Sequence, residues 1–365
     1  MKIGVAVSVY DKFEELRILL DILNSFASVN QVVVIRNDKA SNNDFIKYKI
    51  IENCTKVLEI DTYKFLKTSP IKNESITARI WESQRQGLLE LSEDNDFVIH
   101  THSDGWVLNE FKLLNIIDLI SKSNKVMAFR GPGLSYRNSK GEILGKLDDH
   151  FYILKGSFLK ESNFIRRSPL SLPIDLLNIH GILAFWIHAE ISFEKTIHYE
   201  DFTKVSDWEG KIIDYSKTNA PMLRPLLFSD EYLLVHIHQS DFDFNFGKNF
   251  QAYYLEKYLD KKSKFINTFI KENFVPIEKL RSNQKSIINK KRILINLLGF
   301  NMGFHKNNPF LIKSIFKKTL QNPLFLLSNS VKLLLYPKTR FYNRNSYYPK
   351  KFDDVMRNLE EKIKS

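Results

Sequence analysis

Over the first 130 residues, short apolar runs alternate with stretches whose apolar residues recur every three or four positions. Ile3-Gly-Val-Ala-Val-Ser-Val9 reads as a first strand. Phe13 to Phe26 has Leu16, Ile18, Leu19, Leu20, Ile22, Leu23 and Phe26 at helical spacing. Gln31-Val-Val-Val-Ile35 is a second strand, running out into Arg36-Asn37-Asp38, and Val57 to Ile60 a third. Ser75 to Leu91 is read as a helix with Ile76, Ile80, Leu88 and Leu91 inward and Ser75 at its N-cap. Phe97-Val-Ile99 is the next strand, Leu113 to Ile120 the next helix and Lys125 to Arg130 a further strand. This alternation predicts an α/β fold with a mostly parallel sheet and helices on both faces. Beyond Arg130 the pattern loosens, with turn signals at Gly131-Pro-Gly133 and from Asn138 to Gly141. A strand is expected at His150 to Leu154, a helix over Ile174 to Ile191, a strand over Glu231 to His238, and mainly helix from Asn249. The expected division is a domain over 1–247 and a helical, basic, amphipathic region over 248–365.

The central strand ends in His100-Thr-His-Ser-Asp-Gly-Trp106, a polar cluster with one acid, Asp104, followed at once by Gly105. Ligands of open α/β sheets collect just beyond the carboxyl ends of the strands. An acid there, next to a glycine that permits a sharp turn, is placed to hold a metal ion and its phosphates. A nucleotide-activated substrate is the expected consequence. The plainer reading of Asp104 is a turn cap.

Composition narrows the class. With 43% hydrophobic and 26% charged residues the chain is globular, and the single cysteine, Cys54, excludes an internal disulfide and a cysteine-rich zinc site. No apolar run reaches the roughly 18 residues that a membrane span needs, and Met1-Lys2 leads straight into the first strand without a secretory pattern. The net charge of +12 is concentrated in one region: residues 276–351 hold 16 Lys and Arg against one acid, Glu278. There Lys and Arg flank Leu- and Ile-rich faces in stretches such as Lys290 to Phe300, Pro309 to Lys318 and Pro323 to Tyr336, the pattern of helices lying on an anionic membrane surface. The expected place is the cytoplasm, peripheral at the inner face of the membrane. Aromatic residues among these cations, including Tyr336, Phe341, Tyr342, Tyr347 and Tyr348, keep nucleic-acid binding as an alternative. The long aliphatic runs favour lipid or packing over nucleic acid.

The order of elements, with Val9-Tyr10-Asp11-Lys12 ending the first strand, Asn37-Asp38 the second, Ala78, Arg79, Ser83 and Gly87 on the helix, and His102-Ser103-Asp104 ending the central strand, resembles the family-two-like glycosyltransferases of the GT-A fold. The resemblance implies transfer of a sugar from a nucleotide-diphospho-sugar, with inversion, to a glycan or a lipid-linked acceptor. It places Val9, Tyr10, Asp38, Arg79, Ser103 and Asp104 at the donor. The family's Asp-X-Asp motif binds a divalent ion, Mn²⁺ or Mg²⁺, but here His102 stands for the first acid. Asp104, His102 and, from the strand holding His236 and His238, His238 are then the metal candidates. A carboxylate well after this motif is implied as the general base, and Glu190 and Asp149 are the two candidates. Trp106 is expected to stack on a sugar ring and Trp186 to lie in the core. A nucleotidyltransferase is the rival, and it normally carries a glycine-rich loop that Val9 to Glu15 lacks.

Overall fold

The computed structural model describes residues 1–37, 42–61, 72–130, 134–137, 143–147, 149–169, 179–192, 195–199, 204–206, 212–214, 226–229, 234–237 and 244–275. The N-terminal elements are β1 (Ile3–Val9), α1 (Phe13–Asn24), β2 (Val29–Asn37), α2 (Asn42–Lys47), β3 (Lys56–Ile60), α3 (Lys72–Ser92), β4 (Phe97–His102), β5 (Gly105–Val107) and α4 (Glu110–Ser121). They are followed by β6 (Met127–Arg130), a hairpin of β7 (Leu134–Arg137) and β8 (Ile143–Leu147), β9 (Phe151–Lys155), α5 (Gly156–Glu161) and α6 (Ile179–Trp186). The last are β10 (Thr196–Tyr199), β11 (Lys204–Ser206), β12 (Ile212–Asp214), β13 (Leu226–Ser229), β14 (Leu234–Ile237), α7 (Phe244–Tyr258) and α8 (Lys264–Asn273).

Seven strands form the main sheet in the order β10-β6-β9-β4-β1-β2-β3. All neighbours run parallel except around β9, which is antiparallel to both β4 and β6. This is the mostly parallel sheet with helices on both faces that the alternation predicts. Strand side chains alternate between faces, so each strand feeds two cores. Val5, Val7, Phe97 and Ile99 pack with α1, α4, α7 and α8 on one side, while Ala6, Val98, Tyr152 and Leu154 pack with α3, α5 and α6 on the other.

Helix α3 begins at Lys72, so Ser75 lies inside it and not at its cap. Asn109 caps α4, accepting from the Lys112 amide at 2.9 Å. Helix α3 presses hard on the sheet. Ala78 is buried, Ser83 Oγ donates to Ser8 Oγ at 2.7 Å, and a Cβ on Gly87 would stand 2.6 Å from Ile35 Cδ1 and 2.7 Å from Ala6 Cβ. Gly87→Val is therefore expected to lower stability by about 1–3 kcal/mol, the usual cost of overfilling a packed core, read as a shift of the urea midpoint.

The position expected to open the C-terminal region, residue 248, falls inside α7. Tyr254 and Leu255 of α7 and Ile266 and Phe269 of α8 belong to the same core as α1. Ser263 caps α8 through the Ile266 amide at 3.1 Å and also donates to Asp21 on α1. The sheet domain's core thus runs on to at least residue 270. The basic stretch 276–351 lies outside the described residues, among which no helix is long and apolar enough to cross a membrane.

Candidate active site

A strand followed by a crossover helix and a second parallel strand puts both carboxyl ends, and the N-terminal half of the helix, at one edge of the sheet. Adjacent β1 and β4 do this with α3 between them in sequence. Five expected site residues lie at this edge: Val9, Tyr10, Arg79, Ser103 and Asp104. Asp104, in the turn between β4 and β5, is buried and ion-paired with Lys12, which follows β1 and opens α1. Burial alone would push the lysine pKa down. The charge and hydrogen bond of Asp104, with Glu15 and Asp11 behind, outweigh it and hold the ammonium above its ordinary 10.5. Tyr10 is 43% exposed, and the Arg79 guanidinium sits over its ring at 4.5 Å from the centroid. The Ser103 amide donates to the Ser8 carbonyl at 3.1 Å, tying the two strand ends together. The Val9 and Ser103 side chains are buried, with Val9 in the core under α1.

Gly105 serves a different end from the sharp turn expected of it. A Cβ there would meet Thr101 Oγ1 at 2.9 Å, and that hydroxyl donates to the Gly105 carbonyl at 2.9 Å. Close approach, and not a left-handed backbone, calls for the glycine.

Behind β4 lies a second cluster. His100 and His102 point to the α3 side, as Val98 does. Asp149 is 3% exposed; its Oδ2 lies 3.7 Å from His102 Nε2 and its Oδ1 3.3 Å from His150 Nδ1. The rings of His102 and His150 stand 4.7 Å apart, and their side chains are 21% and 23% exposed. His100 is fully buried against Tyr152, whose hydroxyl donates to Gln84 Oε1 at 2.8 Å. Burial first, and then His102, drive the His100 pKa well below 6.5, against the pull of Asp149.

Glu190 does not join either cluster. It sits in a π-helical turn, Ile187–Ile191, and its carboxylate accepts from Ser162 Oγ, from the Asn163 amide at 2.7 Å, from the Phe164 amide at 3.3 Å and from Trp186 Nε1 at 2.9 Å. Four donors from the structure itself make it an anchor for the segment after α5. Trp106 is also not a stacking surface. It is completely buried, with Nε1 donating to the Glu15 and Ser103 carbonyls at 3.2 and 3.1 Å. Trp186 is buried, as expected, stacked on Phe164 at 5.8 Å between centroids.

Strand β14 runs antiparallel to β5 with His236 opposite Gly105, which brings the end of β14 alongside the turn that carries Asp104. His238 and Asp38 lie outside the described residues. As for the expected divalent ion, Asp104 turns to Lys12 and His102 to Asp149. Among the described residues no group of three or more His, Cys, Asp or Glu side chains is placed to hold a metal ion. With Asp104 paired to Lys12 and His102 turned to Asp149, these two donors as they stand do not fit one. Beside Lys12 opens a cleft of about 350 Å³, bordered by Asp11, Glu14, Asp44, Tyr48 and Lys248, with Lys248 paired to Glu14.

Two members of this edge were not singled out from sequence. Lys12 was visible only as a cation directly after the first strand, and His150 only as a neighbour of Asp149. Pairing across β1 and β4 and the β4–β9 register give them their partners.

No family model matches the chain, and no curated protein matches it. Several solved structures share its general architecture. A cytidylyltransferase from Leptospira borgpetersenii serovar Hardjo-bovis is 13% identical over 75% of this chain and 95% of its own, with a TM-score of 0.38. TarS of S. aureus is 14% identical over 74% of this chain and 42% of its own, also at 0.38. Glucosyl-3-phosphoglycerate synthase from Mycobacterium tuberculosis, in complex with Mn²⁺, uridine diphosphate and phosphoglyceric acid, is 13% identical over 54% of this chain and 67% of its own, at 0.33. Likeness this partial leaves the function to the chemistry of the site.

Proposed function

We propose that the chain is a glycosyltransferase that moves a sugar from a nucleotide-diphospho-sugar to a hydroxyl of a glycan or lipid-linked acceptor. One observation carries this reading: two cation-bearing pairs, Lys12 with Asp104 and Arg79 with Tyr10, both lie at the carboxyl edge of β1 and β4. Two cations held in place at a strand-end edge suit a diphosphate, which gains negative charge as it leaves. Nucleotidyl transfer is the poorer fit. It normally uses a glycine-rich, Lys/Arg-bearing loop after β1, and Val9 to Glu15 has no glycine.

The acceptor's proton goes to the Asp149 cluster. Asp149 is almost sealed from solvent, so the edges of His102 and His150 face the acceptor, and the carboxylate orients them and stabilises the imidazolium that forms. Inversion rests on the family resemblance: a single displacement by the acceptor oxygen produces it. The acceptor class and a peripheral place at an anionic inner membrane face rest on the basic, aliphatic sequence of 276–351; the same aliphatic content speaks against nucleic acid.

A thermal-shift panel of nucleoside diphosphates tests the donor site. At about 100 times its dissociation constant a bound nucleotide adds about 2.7 kcal/mol of stability, a shift of several degrees. Arg79→Ala is expected to weaken that binding about tenfold, the loss of one charge-assisted contact. If no nucleoside diphosphate raises the melting temperature at millimolar concentration, the donor assignment fails.

A further inference from the structure

We infer that the Lys12 ammonium is the cation that meets the donor's diphosphate at Asp104, in the place where a divalent metal would otherwise sit. The inference deepens the glycosyltransferase reading and rests on it. Asp104 is the one acid of the expected metal motif, and its Oδ2 is bound to Lys12 Nζ. The residue in the position of the missing first acid, His102, is turned away to Asp149 on the α3 side. Lys12 is 31% exposed at its side chain and borders the open cleft, so a solute anion can reach an ammonium whose other side is held by a buried carboxylate. The cleft holds a second cation, Lys248, paired with Glu14; Lys12 is the one joined to the acid of the strand-end turn, with Arg79 over Tyr10 the other cation at that edge. Asp104 then has a positioning role: it keeps the lysine charged and aimed at the strand-end edge.

The step balances without a metal. The acceptor oxygen bonds to the anomeric carbon and gives its proton to the Asp149–histidine cluster. The bond from that carbon to the β-phosphate oxygen breaks, and its electron pair stays on the phosphate oxygen. Lys12 donates a hydrogen bond to that diphosphate and remains protonated.

Calorimetric titration of the full chain with UDP and with GDP, in EDTA and again with Mn²⁺ or Mg²⁺, tests this. Binding is expected in EDTA, with an affinity that the metals change by less than about threefold. Lys12→Ala should weaken it by at least about tenfold, Lys12→Arg should restore part, and Asp104→Asn should cost less than Lys12→Ala. Because Lys12→Ala leaves Asp104 buried without its cation, the double variant K12M/D104N, which removes both charges together, is measured beside it and should bind as weakly. Binding that needs Mn²⁺ or Mg²⁺, or that vanishes in Asp104→Asn while surviving in Lys12→Ala, overturns the inference and leaves the glycosyltransferase reading standing with a metal. Absence of binding by either nucleotide in every buffer overturns both.

Discussion

Glu190→Ala is expected to destabilise the protein by about 3 kcal/mol, and this is the largest single-residue effect on folding at the candidates drawn from sequence. The carboxylate takes hydrogen bonds from Ser162 Oγ, the Asn163 and Phe164 amides and Trp186 Nε1. Removing it leaves the Trp186 indole N–H, on a completely buried side chain, with no acceptor from Glu190. Asn163 lies at the surface, so water recovers part of the loss there. The damage spreads because Trp186 also packs on Trp81 of α3 and on Phe164, at 5.7 and 5.8 Å between centroids. Glu190→Gln keeps an oxygen acceptor and should cost only about 1 kcal/mol. Urea unfolding gives both values. An unchanged midpoint in Glu190→Ala together with abolished transfer would return this residue to the reaction as a base.

Acid will unfold the wild type more readily than His100→Phe. In the unfolded chain His100 titrates near 6.5, whereas in the folded chain burial against Tyr152 and beside His102 keeps it neutral to well below that. A depressed histidine pKa means that below pH 6.5 the unfolded state binds a proton that the native state refuses. Stability is therefore lost as pH falls through 6.5 and continues to fall until the native pKa is reached; above 6.5 the group contributes nothing to the slope. The limiting slope is about 1.4 kcal/mol per pH unit. It amounts to about 1 kcal/mol over the first pH unit below 6.5. Phenylalanine fills the same space and carries no proton, so its unfolding free energy should fall less over that range. Parallel pH profiles for the two proteins would mean that the native state accommodates the imidazolium, with Asp149 close enough to compensate burial.

Much of the framework was legible from the residues in order. Ile3–Val9 is a strand over its whole predicted length, and the predicted strands at 31–35, 57–60, 125–130 and 150–154 differ only at their ends from β2, β3, β6 and β9. Helix Phe13–Asn24 matches its apolar spacing. These elements announce themselves because burial selects the apolar face and the face repeats with the period of the element. Ends are less visible: α3 starts three residues before Ser75, since a serine at the right spacing caps a helix only if the chain leaves helical geometry there. The hairpin of β7 and β8 was read only as turns.

Within the site, Asp104, Tyr10 and Arg79 were legible as chemistry at strand and helix ends. Their partners were not. Trp106 beside the motif looked available to a sugar, yet the antiparallel β5–β14 pairing and α1 enclose it. Asp149, in Asp148-Asp149-His150, and Glu190, in His188-Ala189-Glu190, were joint candidates for the base, and only their surroundings separate them: two histidines around one, four structural donors around the other.

Local pattern alone determined the layered α/β architecture, the edge at which polar residues gather, and the concentration of positive charge in 276–351. Tertiary structure alone decided that Lys12 pairs with Asp104, that His102 turns to Asp149, and that Glu190 is an anchor. The physical reason is that periodicity reports which side of an element is buried, whereas the charge state and freedom of a polar group are set by neighbours that lie tens of residues away in sequence and become adjacent only when β1, β4 and β9 pair.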